Sequence, residues 1–175
     1  MGVGDELVAA GQAQKLYEQY GTRVVIVDTN GHPRWHSIWE GNPVIVRPGE
    51  HVDTATSLMS APNARPYIVY PFTAETGWTF NKSFRCRDYP AKLYLTESER
   101  AKGEWVRDKY GPYVLIEPFT KHVNFQWPIE RWDTLVNSCK GLTFVQHTHR
   151  DSEYVDGAHL EPATFREACG LIARL

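Results

Sequence analysis

Residues 2–27 read GVGDELVAAGQAQKLYEQYGTRVVIV, which is a helix, a stop and a strand in immediate succession. From Glu6 to Tyr20 the apolar residues Leu7, Val8, Ala10, Ala13, Leu16, Tyr17 and Tyr20 recur every three or four positions, the spacing of one buried helix face. Gly21 ends the run, because a residue without Cβ enters the left-handed conformation that terminates helices. Arg23-Val24-Val25-Ile26-Val27 follows as a short β-branched segment closed by the polar group Asp28-Thr29-Asn30-Gly31, the pattern of a buried strand. Ahead of the helix stand two glycines and an acid, Gly2-Val3-Gly4-Asp5. A helix start carries unpaired N–H groups and partial positive charge, so it suits a capping carboxylate and a bound anion equally well.

The alternation of strand and helix continues along the chain. Residues 32–60 are irregular, broken by Pro33, Pro43, Pro48 and Gly49, with a brief strand expected at 43–47 and a better one at 65–70. Residues 76–89 mix aromatic and polar side chains and read as a long loop, a length that is uncommon in compact domains and often functional. A strand is expected at 91–95, and Thr96-Glu97-Ser98-Glu99 is a capping box opening a helix to about Tyr110. Then come a strand at 113–117, a helix from about Pro128 to Cys139, a strand at 142–146, and a second capping box, Thr164-Phe165-Arg166-Glu167, opening a last helix. This order predicts an α/β fold with a Rossmann-like parallel sheet.

With 175 residues, 42% of them hydrophobic, the chain can form one ordinary domain, or one small domain plus part of another. A net charge of −2 and the absence of a Lys/Arg-rich run argue against non-specific nucleic-acid binding, which draws its affinity from a basic face. Cys86, Cys139 and Cys169 cannot all pair and form no CxxC, so they read as reduced thiols. No apolar run approaches the ~20 residues of a membrane span. The first twenty residues carry acids and lack the basic start and apolar centre of a secretory leader, so a cytoplasmic location is expected.

Two stretches carry a family resemblance. Gly2-Val3-Gly4-Asp5, followed by a helix of small residues, resembles the N-terminal glycine-aspartate turn of the heptosyltransferases, glycosyltransferase family nine. Tyr113-Val-Leu-Ile-Glu-Pro-Phe-Thr-Lys121, with Asn124-Phe-Gln-Trp-Pro-Ile-Glu-Arg-Trp132, resembles the strand, loop and tryptophan-marked helix that open that family's second lobe. The last helix, from Thr164, is similar to one that follows later in the family. The resemblance is patchy between Gly31 and Tyr89; Phe125 stands where the family often has a lysine, and only Met1 precedes Gly2 where the family has a strand. It implies a GT-B-type fold: an N-terminal acceptor lobe over residues 1–111 and the start of a donor lobe over 112–175. The family's glycine-rich, histidine-containing segment would fall beyond Leu175, so weak nucleotide binding is expected of these residues alone. An unpaired sheet edge would favour self-association or a partner chain.

The resemblance implies inverting transfer of a sugar from a nucleotide-diphosphate donor to an unidentified acceptor, with no metal or cofactor. Asp5 would be the base, and Thr120 and Lys121 would contact the departing diphosphate, a task suited to a flexible ammonium. Gly4, in the glycine-aspartate turn, and Arg34 and Trp35, in the polar-aromatic group between His32 and His36, are the acceptor-side candidates. Each has a structural counterpart: Asp5 as a helix cap, Lys121 as a solvated lysine, Arg34 and Trp35 as surface loop. Trp127 and Trp132 read as packing residues. Lys82, Arg85 and Arg87 beside Trp78, Phe80 and Phe84 combine charge with rings, as sugar- and phosphate-binding loops do and as partly buried loops also do. His147 and His149 lack the companions of a zinc motif. The alternative to an enzyme is a non-catalytic binding or assembly protein that keeps the fold.

Overall fold

The structure, a computed structural model, describes residues 2–62, 64–69, 79–119, 126–148 and 153–173. They form two compact units, Met1–Tyr94 and Leu95–Leu175.

The first unit is built on helix α1, Val3–Tyr20. It begins before the expected Glu6, so the glycine-aspartate stretch is not a turn ahead of the helix but its first turn, with Gly2 as the extended N-cap residue. Gly21 closes it at φ 70°, with its N–H donating to the Tyr17 carbonyl at 2.8 Å. The small residues Ala9, Ala10 and Ala13 face the core and let Ile26, Ile38, Trp39 and Ile45 pack close to the helix. Strand β1, Val24–Val27, pairs in parallel with β2, Thr56–Met59, from Val24↔Thr56 to Val27↔Met59. The strand expected at 43–47 is reduced to a parallel bridge between Val24 and Ile45, although Val44, Ile45 and Val46 are buried. The strand expected at 65–70 contributes only β3, Ile68–Val69, antiparallel to β4, Thr79–Phe80, inside the segment read as loop. No strand forms at 91–95, where no neighbouring strand supplies hydrogen bonds.

The second unit is a three-stranded parallel sheet, β5 (Val114–Ile116), β6 (Phe144–Thr148) and β7 (His159–Pro162), in that spatial order. Helices α2 (Glu97–Tyr110), α3 (Ile129–Ser138) and α4 (Phe165–Ile172) complete it. Both capping boxes form: Thr96 N–H donates to Glu99 at 2.7 Å and Thr164 N–H to Glu167 at 2.7 Å, each threonine hydroxyl accepting in return. The boundary therefore falls after Tyr94, not at Gly111, because α2 is bound to α4. A Cβ on Gly170 would lie 2.0 Å from the Glu99 carbonyl oxygen, and Arg166 Nε and Nη2 bond the Glu99 carboxylate at 2.5 and 2.8 Å. Beneath them Val106, Val145 and Leu171 share one fully buried cluster.

Both units are mixed α/β with parallel pairing, the coarse class expected. Among the described residues no helix is long and apolar enough to cross a membrane.

Candidate functional site

The N-terminal end of α1 lines a cleft of about 720 Å³, through Gly2, Gly4, Asp5 and Val8. The two glycines leave this end bare: a Cβ built on either meets nothing within 4 Å. The described lining also includes the rings of Tyr67, Phe80 and Phe84, the polar residues Asn81, Lys82 and Arg85, and Cys86. Phe84 is held by stacking on Tyr89 at 5.3 Å, and Tyr67 lies 5.9 Å from Phe84 and 6.2 Å from Phe80.

Asp5 is the one acid on the described lining, and only 9% of its side chain is exposed. Its Oδ2 accepts the Gly2 N–H at 2.8 Å, closing the first turn as a cap. Its Oδ1 accepts the Tyr67 hydroxyl, and Arg65 Nε lies 3.7 Å from the same oxygen. Burial first, then the Asp5 hydrogen bond and charge, push the Tyr67 phenol up to about 12, so at neutral pH Tyr67 is a neutral donor. Asp5 is thus both a helix cap and a carboxylate presented to a cleft.

Gly4 and Asp5 meet at the cleft; Arg34 and Trp35 do not line it. Arg34 Nη2 pairs with Glu6 Oε1 at 2.6 Å, and Glu6 is 1% exposed. Arg34 Nη1 donates to the Ser60 carbonyl at 2.8 Å, and the guanidinium lies 5.3 Å above Trp39. Trp35 packs edge-on to Trp39 at 6.0 Å under the Arg47 guanidinium. Both side chains serve the core of the first unit, because a buried Glu6 requires a cation and Trp39 requires ring contacts. Thr120 and Lys121 lie outside the described residues, as do Trp78 and His149.

Trp127 and Trp132 meet edge to face at 5.3 Å, and Trp132 packs on the cluster of Ile116, Val136 and Phe144. His147 holds Glu117 through Nδ1 at 2.7 Å and the Ala163 carbonyl through Nε2 at 2.9 Å. Among the described residues no group of three His, Cys, Asp or Glu side chains is placed to hold a metal. Lys82 and Arg85 do reach the cleft, whereas Arg87 extends into solvent beside Asp88. Tyr67 and Arg65 were missed because the bond to Asp5 spans 62 positions and leaves no local signal. No protein-family model, no curated protein and no solved structure matches this chain.

Proposed function

We propose that the chain is a glycosyltransferase of GT-B type that moves a sugar from a nucleotide-diphosphate donor to an acceptor hydroxyl by inverting displacement. The observation that carries this reading is Asp5, the sole acid on the described lining of the cleft, beside the bare backbone of Gly4. In the reaction the acceptor O–H proton passes to the Asp5 carboxylate while the acceptor oxygen bonds to the anomeric carbon. The bond from that carbon to the diphosphate oxygen breaks, and the diphosphate leaves with the electron pair. A carboxylate suits this step because the proton transfers late, when the acceptor oxygen has become acidic. Tyr67 and the Gly2 N–H hold the carboxylate in one orientation, so that it need not reorganise during the step. The diphosphate contacts of Thr120 and Lys121 rest on the family resemblance.

A second reading is favoured by a specific observation: both Asp5 oxygens already accept a hydrogen bond, as a purely structural cap requires. In that reading the cleft binds a ligand without turnover. Asp5→Asn separates the two, since asparagine caps nearly as well but cannot take the proton. Transfer from a panel of nucleotide-diphosphate sugars should fall by on the order of a hundredfold or more in the variant. Turnover equal to wild type would remove Asp5 from the chemistry and leave the binding reading.

A further inference from the structure

Asp5 and Glu6 are neighbours in the first turns of α1, and each keeps its carboxylate largely out of water. Their cations are placed differently. Arg34 Nη2 bonds Glu6 Oε1 at 2.6 Å, a direct charge-assisted hydrogen bond. Arg65 Nε stands 3.7 Å from Asp5 Oδ1, beyond hydrogen-bond distance, and that buried nitrogen has no hydrogen-bond partner among the described residues. Among the described residues Arg65 is also the one cationic side chain paired with Asp5. The two groups that donate to Asp5, the Gly2 N–H and the Tyr67 hydroxyl, are neutral.

A carboxylate with 9% of its side chain exposed has given up most of its hydration, and neutral donors replace only part of it. A guanidinium at 3.7 Å adds Coulomb attraction, which is far stronger in a partly dry site than in water. Arg65 lines a separate cavity of about 10 Å³ together with Asp5 and Tyr67, and it is not on the described lining of the 720 Å³ cleft. Its charge reaches the Tyr67 phenol as well: burial and then Asp5 raise that group, and Arg65 opposes them.

We propose that Arg65 is a positioning residue for Asp5: its guanidinium stabilises the carboxylate by charge and acts through Asp5 rather than on the substrate. Its role in transfer rests on the transfer reading above; the charge coupling of the two side chains does not. The separation suits that role, because Arg65 steadies the anion without displacing the Tyr67 hydroxyl from Oδ1.

The test uses the full chain in three variants. Arg65→Met removes the charge, Arg65→Gln removes it but keeps an N–H donor, and Arg65→Lys keeps the charge. Two neutral side chains of different shape guard against loss of the fold in either, which circular dichroism checks. Alkaline absorbance titration reads the coupling without any substrate. The late tyrosine, at about 12 in the wild type, should move to higher pH in both neutral variants and return towards its wild-type position in Arg65→Lys. Steady-state release of nucleotide diphosphate from UDP-glucose, ADP-glucose and GDP-mannose, with water as the acceptor, reads the positioning. In both neutral variants kcat should fall by about tenfold or more, towards the loss that a displaced reacting group causes. KM should stay within about twofold of wild type, and Arg65→Lys should recover most of kcat. The proposal is overturned by a late tyrosine that stays in place in both neutral variants. It is equally overturned if they keep a wild-type kcat where Asp5→Asn is impaired, or raise KM at unchanged kcat, which would make Arg65 a substrate contact. If the tyrosine shifts but Asp5→Asn matches the wild type in diphosphate release, at any level of turnover, the transfer reading fails and the charge coupling stands.

Discussion

The first turns of α1 and α2 are built alike and used differently. In each, the acid at the third helical position reaches back to the N–H of its own N-cap residue: Asp5 to Gly2 at 2.8 Å, Glu99 to Thr96 at 2.7 Å. Opposite Glu99 the fold sets Arg166, which takes both carboxylate oxygens, and α4 packs so tightly that Gly170 meets the Glu99 carbonyl. Opposite Asp5 it sets a phenol that takes one oxygen, a more distant guanidinium, and open space. A helix-start acid closed by a full ion pair is a structural joint. The same acid with one phenol and a more distant guanidinium lines a cleft instead. The difference between joint and site lies in the opposing surface rather than in the cap.

The largest effect should come from the packed side of this pair. In Gly170→Ala the new methyl cannot avoid the backbone of Glu99, so the second unit should lose about 3 kcal/mol, the upper range for overpacking. Hydrogen exchange across α2 and α4 would read it, with β1 and β2 unaffected; unchanged protection of α2 would break the claim that this turn is a joint. Gly11→Ala, whose Cβ would lie 2.2 Å from the Tyr89 carbonyl oxygen, should do the same to the first unit and leave the second intact.

Next in size is Arg166→Ala, expected to cost about 2 kcal/mol, in the range for a hydrogen bond to a charged group. The Arg166 hydrogen bonds, ahead of the opposing effect of burial, hold the Glu99 carboxyl below its ordinary 4.5. A folded-state value below the unfolded one means the contribution is fully present above pH 4.5 and fades as pH falls through the folded value. The gap between wild type and variant should therefore be widest at neutral pH and shrink in acid. A gap that grew on acidification would contradict the pairing.

Asp5→Asn should change stability by less than about 1 kcal/mol, because the cap survives in the amide. Thermal melting checks this. A loss as large as that of Arg166→Ala would make Asp5 a joint as well and dissolve the contrast between the two turns. The smallest signal is spectroscopic. In an alkaline absorbance titration one tyrosine should lag to about 12 and vanish from the curve in Tyr67→Phe. A folded-state value above the ordinary 10.0 places the stabilisation from this phenol fully below pH 10 and removes it as pH rises towards 12. In Asp5→Asn the lag should shorten but persist, since burial is its first cause.

What could be read in the sequence was local. Helix α1 followed from apolar spacing and Gly21, and α2 and α4 from capping boxes whose partners stand three residues apart. β1, β5 and β6 showed as β-branched or apolar runs. Strands whose evidence is the partner rather than the run did not show. β2, Thr-Ser-Leu-Met, is half polar and exists because β1 lies beside it; β7 contains Pro162 and exists because β6 does. The reverse error came at 91–95, an apolar run with no strand to join.

The site divides along the same line. Gly2, Gly4 and Asp5 are neighbours in sequence and were singled out together, because a helix start concentrates N–H groups and positive potential within one turn. Arg34 was read as a binding residue because its charge is visible in sequence, while its burial against Glu6 is not. Tyr67, Phe84 and Arg85 reached the cleft from positions that no periodicity connects to residue 5. The chain by itself determined which residues cap, turn and alternate, since those preferences are settled by atoms a few bonds apart. Only the tertiary structure decided which acid faces a cation and which faces a cavity, because Coulomb attraction, desolvation and packing depend on distance through space and not along the chain.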